Sequence, residues 1–227
     1  MSTNIDKQAL RKTIQIEFSA EERSRRVVSR SNHRVTGKYP GFKSRRMHYW
    51  ESHIERDAFI LADGSLDIRS FAEQPAIIRY GEALERTHYP DILIDYGHHQ
   101  EFVEVKTDKD AESDEIVSRT QFLTQALKRQ GYGYRIWKES EIRKYPIRIN
   151  NLRYLLRFGR SGISLQRFEW FRQLFSKQCN LPWAAIVGKP ISHEIRAGLC
   201  RLILEGWLKV DLFYPIFNDT IVTVGRI

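Results

Sequence analysis

The sequence predicts an α/β protein with a C-terminal part that is mostly helical. Three observations support this prediction. Between Trp50 and Trp137, segments follow one another in the order helix, strand, strand, strand, helix, strand. After about Pro146, three helical patterns follow in succession. Two short strand-like segments then end the chain, which is typical of a helix-turn-helix with a wing.

The bulk composition is that of an ordinary globular protein. The chain has 227 residues, of which 41% are apolar and 29% are charged, enough to bury one large or two small cores. No apolar run is long enough to span a bilayer, and the N-terminus lacks the apolar stretch of a secretory signal. Cys179 and Cys200 do not form a metal-like cluster, so we expect a reduced, cytoplasmic protein without a membrane partner.

Positive charge is concentrated near the N-terminus. The chain has 37 Lys and Arg against 28 Asp and Glu, and its net charge of +9 favours polyanions such as DNA or RNA. Residues 23–46 contain nine Lys or Arg and no acidic residue. Such a run is also typical of a solvated face or a disordered tail. We expect residues 1–47 to be a basic segment that contacts phosphates through Arg25, Arg26, Arg30, Arg34, Lys38, Arg45 and Arg46.

The first elements follow from spacing and turn residues. Residues 1–22 fit a short helical or flexible lead, and interspersed glycine and proline predict an irregular course for the basic run after it. From Trp50 to Leu61, apolar residues recur at helical spacing. The extended segment 66–80 contains Gln74-Pro75, so it is either an edge strand or broken at that point.

The next elements are a hairpin, a helix and a strand. Two strand-like runs flank a turn at Gly97-His98. Residues 114–130 place apolar side chains on one helical stripe, and Gly131 ends the helix. A strand-like YGYRIW follows. Together with the preceding helix, these elements define a predicted domain at residues 48–148.

Residues 149–227 form the predicted C-terminal domain. Ser164 and Ser192 stand where helix N-caps are expected, and Gly206 stands at a helix end. The last two segments are strand-like. We expect a winged-helix-like domain whose helix 192–205 either enters a DNA groove or docks onto another protein.

The hairpin around Gly97-His98 carries charges inside its strands. With that turn, residues whose numbers sum to 195 oppose one another, so Asp91 faces Glu104. Because side chains alternate along a strand, Lys106 shares their face. The three charged side chains are therefore predicted to converge on one patch. The opposite, core-facing positions are Ile92, Ile94, Val103 and Val105.

Two carboxylates on adjacent strands repel each other unless a cation lies between them. Carboxylates and waters suit Mg²⁺, with Mn²⁺ as a substitute, and a nearby lysine can position a water or a phosphate. These parts predict phosphodiester hydrolysis. The plain alternative is an ordinary cross-strand Glu–Lys pair. Upstream, Glu55 either borders the core face of its helix and reaches the sheet, or lies on a solvated face beside Glu51 and Arg56.

These residues carry a resemblance. Pro90-Asp91 and Glu104-x-Lys106, with Glu55 upstream and an αβββαβ order, resemble the restriction-endonuclease-like nucleases, whose signature is Pro-Asp…Asp/Glu-x-Lys. A narrower likeness is to the TnsA family, the endonuclease subunits of heteromeric cut-and-paste transposases. It rests on the ordered blocks Ser-x-x-Glu, Gln-Pro and Pro-Asp…Glu-x-Lys, and it extends over residues 23–227.

The resemblance implies a Mg²⁺-dependent endonuclease that hydrolyses the non-transferred strand near the 5′ ends of a transposon. The implied catalytic residues are Glu55, Asp91, Glu104 and Lys106. The metal would be held by Asp91, Glu104, Glu55 and the Val105 carbonyl, and Gln121 is a candidate accessory residue. The implied partners are double-stranded DNA, a DDE-type transposase subunit and an AAA+ ATPase regulator, and the implied place of action is the bacterial nucleoid.

Two features depart from the family pattern. Glu104 stands where the family prototype has Gln, which restores the general superfamily signature. The C-terminal region is short, which weakens the expectation that a regulator binds there. Two other functions stay open at this point: a stand-alone restriction or repair endonuclease of the same fold, and a non-catalytic DNA-binding adaptor.

Overall fold

The structure is a computed structural model that describes residues 14–19, 35–188 and 190–225. These residues form a mixed α/β protein, as the sequence predicts, with eight helices and twelve strands among them. The chain divides into two compact units. The first contains the described residues up to Asp63 together with Asp67–Ile142, and the second contains Gly64–Leu66 and the residues from Arg143 onward. No helix within the described ranges is long and apolar enough to cross a membrane.

The elements of the first unit are short strands and four helices. In chain order they are β1 (Ile14–Phe18), β2 (Gly37–Pro40), β3 (Met47–Trp50), α1 (His53–Gly64), β4 (Ser70–Glu73), β5 (Ala76–Tyr80), β6 (Arg86–His88), β7 (Ile92–Asp95), β8 (Gln100–Lys106), α2 (Asp108–Ala111), α3 (Asp114–Lys128), β9 (Tyr132–Lys138) and α4 (Glu139–Ile142).

A four-stranded sheet in the order β4-β7-β8-β9 lies at the centre of this unit. β4, β7 and β8 are antiparallel neighbours, whereas β9 runs parallel to β8. A parallel pair needs a crossover connection, and α3 supplies it between these two strands. Phe102 and Tyr134 of this sheet share a buried cluster with Leu123 and Leu127 of α3 and with Ile78 of a second sheet, β1-β5-β6.

The β7–β8 hairpin has the predicted register. Ile92 pairs with Val103 and Asp95 with Gln100, so that paired numbers sum to 195. The face of β8 that carries Phe102 and Glu104 is also covered, because Phe102 is fully buried and Glu104 is only 4% exposed. A charge at that depth needs partners, which sets up the candidate site. The predicted core positions are all buried: Ile92, Ile94, Val103 and Val105.

Asp95, the acidic residue at the end of β7, stabilises the hairpin turn. Its Oδ1 accepts a hydrogen bond from the Gly97 N–H at 2.7 Å. Gly97 has a φ of 87°, in the left-handed region that glycine adopts most easily. His98 and His99 are exposed at the tip of the turn. This charge therefore serves the loop and not the cleft described below.

Two expectations for the N-terminal region are wrong. Residues 14–18, expected to be helical or flexible, form β1, which pairs antiparallel with β5. Part of the run expected to be irregular forms β2, which pairs with β3 from Gly37↔Trp50 to Pro40↔Met47. The helix expected from Trp50 begins at His53 as a consequence. Pairing over such short runs depends on a partner strand elsewhere in the chain, which local spacing does not reveal.

The extended segment 66–80 is broken at Gln74-Pro75, which is one of its two predicted outcomes. Its halves, β4 and β5, belong to different sheets. Proline has no N–H to offer a ladder, so a strand is easily interrupted there. Gln74 has a positive φ of 38°, and its N–H donates to the Asp91 carbonyl at 2.8 Å. The chain thus passes from the sheet that contains β4 to the sheet that contains β5 at a point next to Asp91, the residue before β7.

The second unit combines helices with a small sheet. Ser164 Oγ accepts from the Arg167 N–H at 3.2 Å, and Ser192 Oγ accepts from the Ile195 N–H at 3.3 Å, which confirms both predicted N-caps. The three strands form an antiparallel sheet in the order β10-β12-β11. The sequence did not predict β10 or α7. The elements are α5 (Pro146–Gly159), α6 (Leu165–Lys177), β10 (Asn180–Pro182), α7 (Trp183–Val187), α8 (His193–Leu204), β11 (Leu208–Lys209) and β12 (Ile221–Val224).

Candidate active site

One cleft of the first unit, with a volume of about 540 Å³, contains the residues that the sequence singles out for chemistry. They come from the start of α1, the residue before β7 and the end of β8. Arg119 of α3 lines the same cleft. Gln121, the candidate accessory residue, is exposed and is not among the lining residues. The predicted residues in the lining are Glu55, Asp91, Glu104, Val105 and Lys106.

Asp91 lies one residue beyond the last backbone pair of the β7–β8 ladder. Its side chain continues the contact between the strands, because Oδ2 accepts a hydrogen bond from the Val105 N–H at 2.7 Å. Burial raises the pKa of Asp91 well above its ordinary value, and the charge of Glu104 raises it further. Lys106 opposes this rise in the pKa, and Glu55 adds a smaller contribution to it.

Glu104 is the most deeply buried charge in the cleft. Its Oε1 lies 2.7 Å from Lys106 Nζ and 3.4 Å from Arg119 Nη2. Its Oε2 lies 3.3 Å from His88 Nε2, yet it has no hydrogen-bond partner among the described residues. One oxygen is therefore neutralised by two cations, while the other is left without a donor. A buried acceptor in that condition costs free energy unless a ligand or ion satisfies it.

Lys106 is held as a cation by its neighbours. Burial alone would lower the pKa of its ammonium group, but the charges of Glu104 and Asp91 outweigh burial and raise that pKa above its ordinary value. At neutral pH the side chain can therefore donate hydrogen bonds or offset negative charge, but it cannot accept a proton. A role as a base would first require another cation to neutralise the two carboxylates.

Glu55 has a structural task at the start of α1. Ser52 Oγ accepts from the Glu55 N–H at 3.1 Å, and the Ser52 hydroxyl donates to Glu55 Oε1 at 3.0 Å. The Glu51 N–H donates to Glu55 Oε2 at 2.9 Å. This is a variant of the capping box, in which serine and glutamate satisfy the first amides of a helix. Burial raises the pKa of Glu55. Glu55 thus reaches the cleft, but both its oxygens already have partners.

The structure adds two residues that sequence reasoning missed, His88 and Tyr134. Tyr134 Oη lies 3.0 Å from His88 Nε2, and the same nitrogen lies 3.3 Å from Glu104 Oε2. Burial lowers the pKa of His88 to about 4 despite the charge of Glu104, so the imidazole is neutral at physiological pH. His88 precedes the Tyr-Pro-Asp block by one position, a signal too weak to use without the structure.

Arg119 is a further residue that the sequence analysis did not select. It stands four residues before Leu123, which is fully buried on the apolar stripe of α3. The helical period therefore places the two side chains on the same side of the helix. That spacing is the signal that favours Arg119 over Gln121 as the residue of α3 that faces the sheet.

The cleft offers a hard divalent cation two carboxylate ligands. Across the described ranges, no group of three or more His, Cys, Asp or Glu is arranged to hold a metal ion. Asp91 and Glu104 are nevertheless two mutually repelling carboxylates, and one buried oxygen of Glu104 lacks a donor. Mg²⁺ is commonly held by only one or two carboxylates together with water and substrate phosphate. The residues therefore fit Mg²⁺ or Mn²⁺ better than a fully protein-ligated ion.

Part of the predicted phosphate-binding set lies on or beside the β2–β3 hairpin. Lys38 and Arg45 are exposed there, and Arg46 is half-buried. Lys38 Nζ lies 5.6 Å from the centre of the Tyr49 ring. The other four members of the set lie outside the described residues: Arg25, Arg26, Arg30 and Arg34.

Buried polar contacts connect this hairpin to the central sheet. Ser44 Oγ lies 2.6 Å from His48 Nε2, and His48 Nδ1 lies 3.1 Å from Glu73 Oε2. The same Glu73 oxygen accepts from the Tyr49 N–H at 2.6 Å. His48 and Glu73 are buried, and Glu73 ends β4. We call these contacts the Ser44–His48–Glu73 chain, and they fix the hairpin to the edge strand of the sheet.

Comparison of the chain with models of known protein families finds no match, and no curated protein matches it at a significant level of similarity. The chemistry of the cleft is therefore inferred from the arrangement of its own residues: two carboxylates held by neighbouring strands, two cations beside them, and a neutral histidine in contact with Glu104.

Proposed function

We propose that the chain is a Mg²⁺-dependent DNA endonuclease with a restriction-endonuclease-like core. The observation that carries the proposal is the convergence of Asp91, Glu104 and Lys106 in one cleft, with Lys106 Nζ 2.7 Å from Glu104 Oε1. The order α1, β4, β7, β8, α3, β9, with three antiparallel strands and a parallel fourth, supports the αβββαβ reading of the fold.

Asp91 and Glu104 would hold Mg²⁺, with the Val105 carbonyl as a further ligand. A bound divalent cation lowers the pKa of water and neutralises charge that develops on a phosphodiester. Asp91 is pre-positioned for this task by the Val105 N–H, which fixes one carboxylate oxygen at 2.7 Å. Glu104 is held through its Oε1 by Lys106. The sheet therefore presents both carboxylates in a set geometry before substrate arrives.

Lys106 would orient the attacking water or a non-bridging oxygen of the scissile phosphate. Its ammonium group has a raised pKa, so it is charged at neutral pH, and its side chain is 27% exposed in the cleft. In hydrolysis the water oxygen forms the new bond to phosphorus, the P–O bond to the leaving sugar oxygen breaks, and negative charge grows on the phosphate. A fixed cation at that position stabilises the growing charge. Glu55, whose oxygens also accept the hydrogen bonds of the helix cap, would orient a water by accepting a hydrogen bond from it.

We further propose, on the resemblance to the TnsA family, that the chain is the subunit of a heteromeric transposase that cuts the non-transferred strand near the 5′ ends of the element. Its partners would be transposon-end DNA, a DDE-type transposase subunit and an AAA+ ATPase regulator. The basic residues of the β2–β3 region, Lys38, Arg45 and Arg46, support contact with double-stranded DNA.

A cleavage assay tests both the proposed endonuclease activity and the proposed role as a transposase subunit. Purified protein is incubated with supercoiled DNA carrying candidate transposon ends, in Mg²⁺ or EDTA, with and without the partner transposase. Mg²⁺-dependent cutting that needs the partner supports the transposase subunit. Cutting without a partner identifies a stand-alone endonuclease instead, and DNA binding without cutting under any condition identifies a non-catalytic adaptor.

Matched variants locate the active residues. Asp91→Ala and Lys106→Ala should both lose cleavage. Asp91→Ala should keep DNA binding within about twofold, because it removes no cation that contacts phosphate. Asp95→Ala and Lys138→Ala serve as controls: Asp95 is the acidic residue at the far end of β7, and Lys138 is the β9 partner of Lys106. Cleavage retained by Asp91→Ala or Lys106→Ala would contradict the proposed site.

A further inference from the structure

We infer that Arg119 is a phosphate-binding catalytic residue of this cleft, which makes two protein cations, not one, available to the scissile group. The inference rests on the proposed nuclease function. Arg119 belongs to α3, whereas the signature residues come from the β7–β8 hairpin. Its side chain is 18% exposed and lines the cleft together with Asp91, Glu104 and Lys106.

The bonding of Arg119 leaves part of its donor capacity unused. Its Nη2 lies 3.4 Å from Glu104 Oε1, an oxygen that Lys106 Nζ already occupies at 2.7 Å, and its side chain also hydrogen-bonds to the Tyr134 hydroxyl. Within the part of the chain that the structure describes, Arg119 Nε is buried and has no hydrogen-bond partner. A guanidinium carries five N–H donors in a planar fork, and a buried donor without an acceptor is costly. The contacts with Glu104 and Tyr134 therefore leave Nε unsatisfied.

The missing acceptor has a definite chemistry. A planar guanidinium matches the geometry of a phosphate and can bind two of its oxygens at once. Lys106 supplies a point charge from the sheet, and Arg119 supplies a fork from the helix. A phosphodiester in the cleft would therefore be contacted from two elements. Arg119 exchanges no proton in this role, because its guanidinium stays charged while negative charge grows on the phosphate.

Arg119→Ala, Arg119→Lys and the control Arg135→Ala test the inference. Arg135 is the matched control because it is also paired with a glutamate, Glu101, at 3.0 Å, but is not among the residues that line the cleft. Two quantities are measured: the single-turnover cleavage rate as a function of Mg²⁺ concentration, and the salt dependence of binding to uncut duplex DNA in Ca²⁺. The second readout needs no catalysis.

We expect Arg119→Ala to lower the rate at saturating Mg²⁺ by about 100-fold, the size of effect seen when one donor to a developing oxyanion is removed. The midpoint for Mg²⁺ should not move to higher concentration. The slope of log K against log salt should become shallower by about 0.9, the loss of one phosphate contact. Arg119→Lys should recover part of the rate, and Arg135→Ala should match the wild type in both assays.

Two outcomes would overturn the inference. If Arg119→Ala cuts at the wild-type rate in saturating Mg²⁺ with an unchanged salt slope, the residue does not touch phosphate. If its loss of rate disappears at high Mg²⁺, the residue only positions Glu104. Failure of the proposed function looks different, because wild-type protein with its partner then cuts no DNA, while the salt slopes still report whether Arg119 contacts phosphate.

Discussion

The substitution Asp91→Asn should abolish cleavage and, in the absence of divalent metal, make the protein more stable. The asparagine side chain keeps an oxygen that can accept the hydrogen bond from the Val105 N–H, which now lies 2.7 Å from Asp91 Oδ2, so the strand contact survives. The substitution removes a carboxyl group whose pKa is raised well above its ordinary value, first by burial and then by the charges of Glu104 and Glu55. A raised carboxyl pKa means that the charged form destabilises the folded protein.

The sign and size of the effect follow from linkage. Because the folded pKa of Asp91 is raised, this group costs no stability below its unfolded pKa of about 3.9, and its cost grows as pH rises toward the folded pKa. The Asp91→Asn variant lacks this cost, so its advantage grows with pH. Each pKa unit is worth about 1.4 kcal/mol. We therefore expect a gain above about 1 kcal/mol at pH 7.5, or a Tm higher by about 2–4 °C or more.

The measurement is thermal unfolding in EDTA between pH 5 and pH 8, followed by the same scan in Mn²⁺. Wild-type protein should gain Tm when Mn²⁺ is added, because an ion that binds only the folded state stabilises it. The Asp91→Asn variant should gain little. Asp95→Asn is the control, since Asp95 accepts from the Gly97 N–H at the hairpin tip, away from the cleft. A Tm for Asp91→Asn at or below the wild-type value in EDTA at pH 7.5 would show that the buried charge is not destabilising.

Three further predictions concern neighbouring residues. His88→Ala removes a side chain that contacts both Glu104 and the Tyr134 hydroxyl, so it should weaken Mn²⁺ binding, measured by titration, by about 10-fold or more. Unchanged affinity would show that His88 does not position Glu104. Glu55→Gln should keep the cap and unfold in urea within about 0.5 kcal/mol of wild type, whereas Glu55→Ala should lose about 1 kcal/mol; equal losses would contradict the capping role. Neutralising Lys38, Arg45 and Arg46 together should make the salt slope of DNA binding shallower by about 2 to 3 units for all DNA sequences alike. An effect confined to one DNA sequence would contradict phosphate contact.

The hairpin that carries Asp91 and Glu104 was predictable in detail. A short turn fixes which residues oppose one another, and the two-residue period then fixes their faces. The break at Gln74-Pro75 was predictable as well, because proline cannot donate to a ladder. The caps at Ser164 and Ser192 follow from equally local chemistry. In each case the residues that decide the structure are close together in the sequence.

What could not be predicted depends on partners that are distant in sequence. β1 exists because β5 lies beside it, 62 residues away at the Arg79–Glu17 contact. His88 and Tyr134 meet beside Glu104 although 46 positions separate them. Arg119 enters the cleft because α3 crosses the sheet, and only the spacing to Leu123 indicated its direction. The spacing of side chains along an element shows which of its faces is buried, but not which other element packs against that face.

The Ser44–His48–Glu73 chain has a consequence for variation in this region. A Cβ at Gly41 would lie 2.1 Å from Ser44 Oγ and 2.7 Å from His48 Nε2, so no larger residue fits while those two side chains keep their positions. His48 and Glu73 are buried, and each would lose its neighbour if the other were replaced. Natural or laboratory substitutions at these four positions should therefore occur as coordinated sets, and a mutant library that changes them one at a time should recover few folded variants.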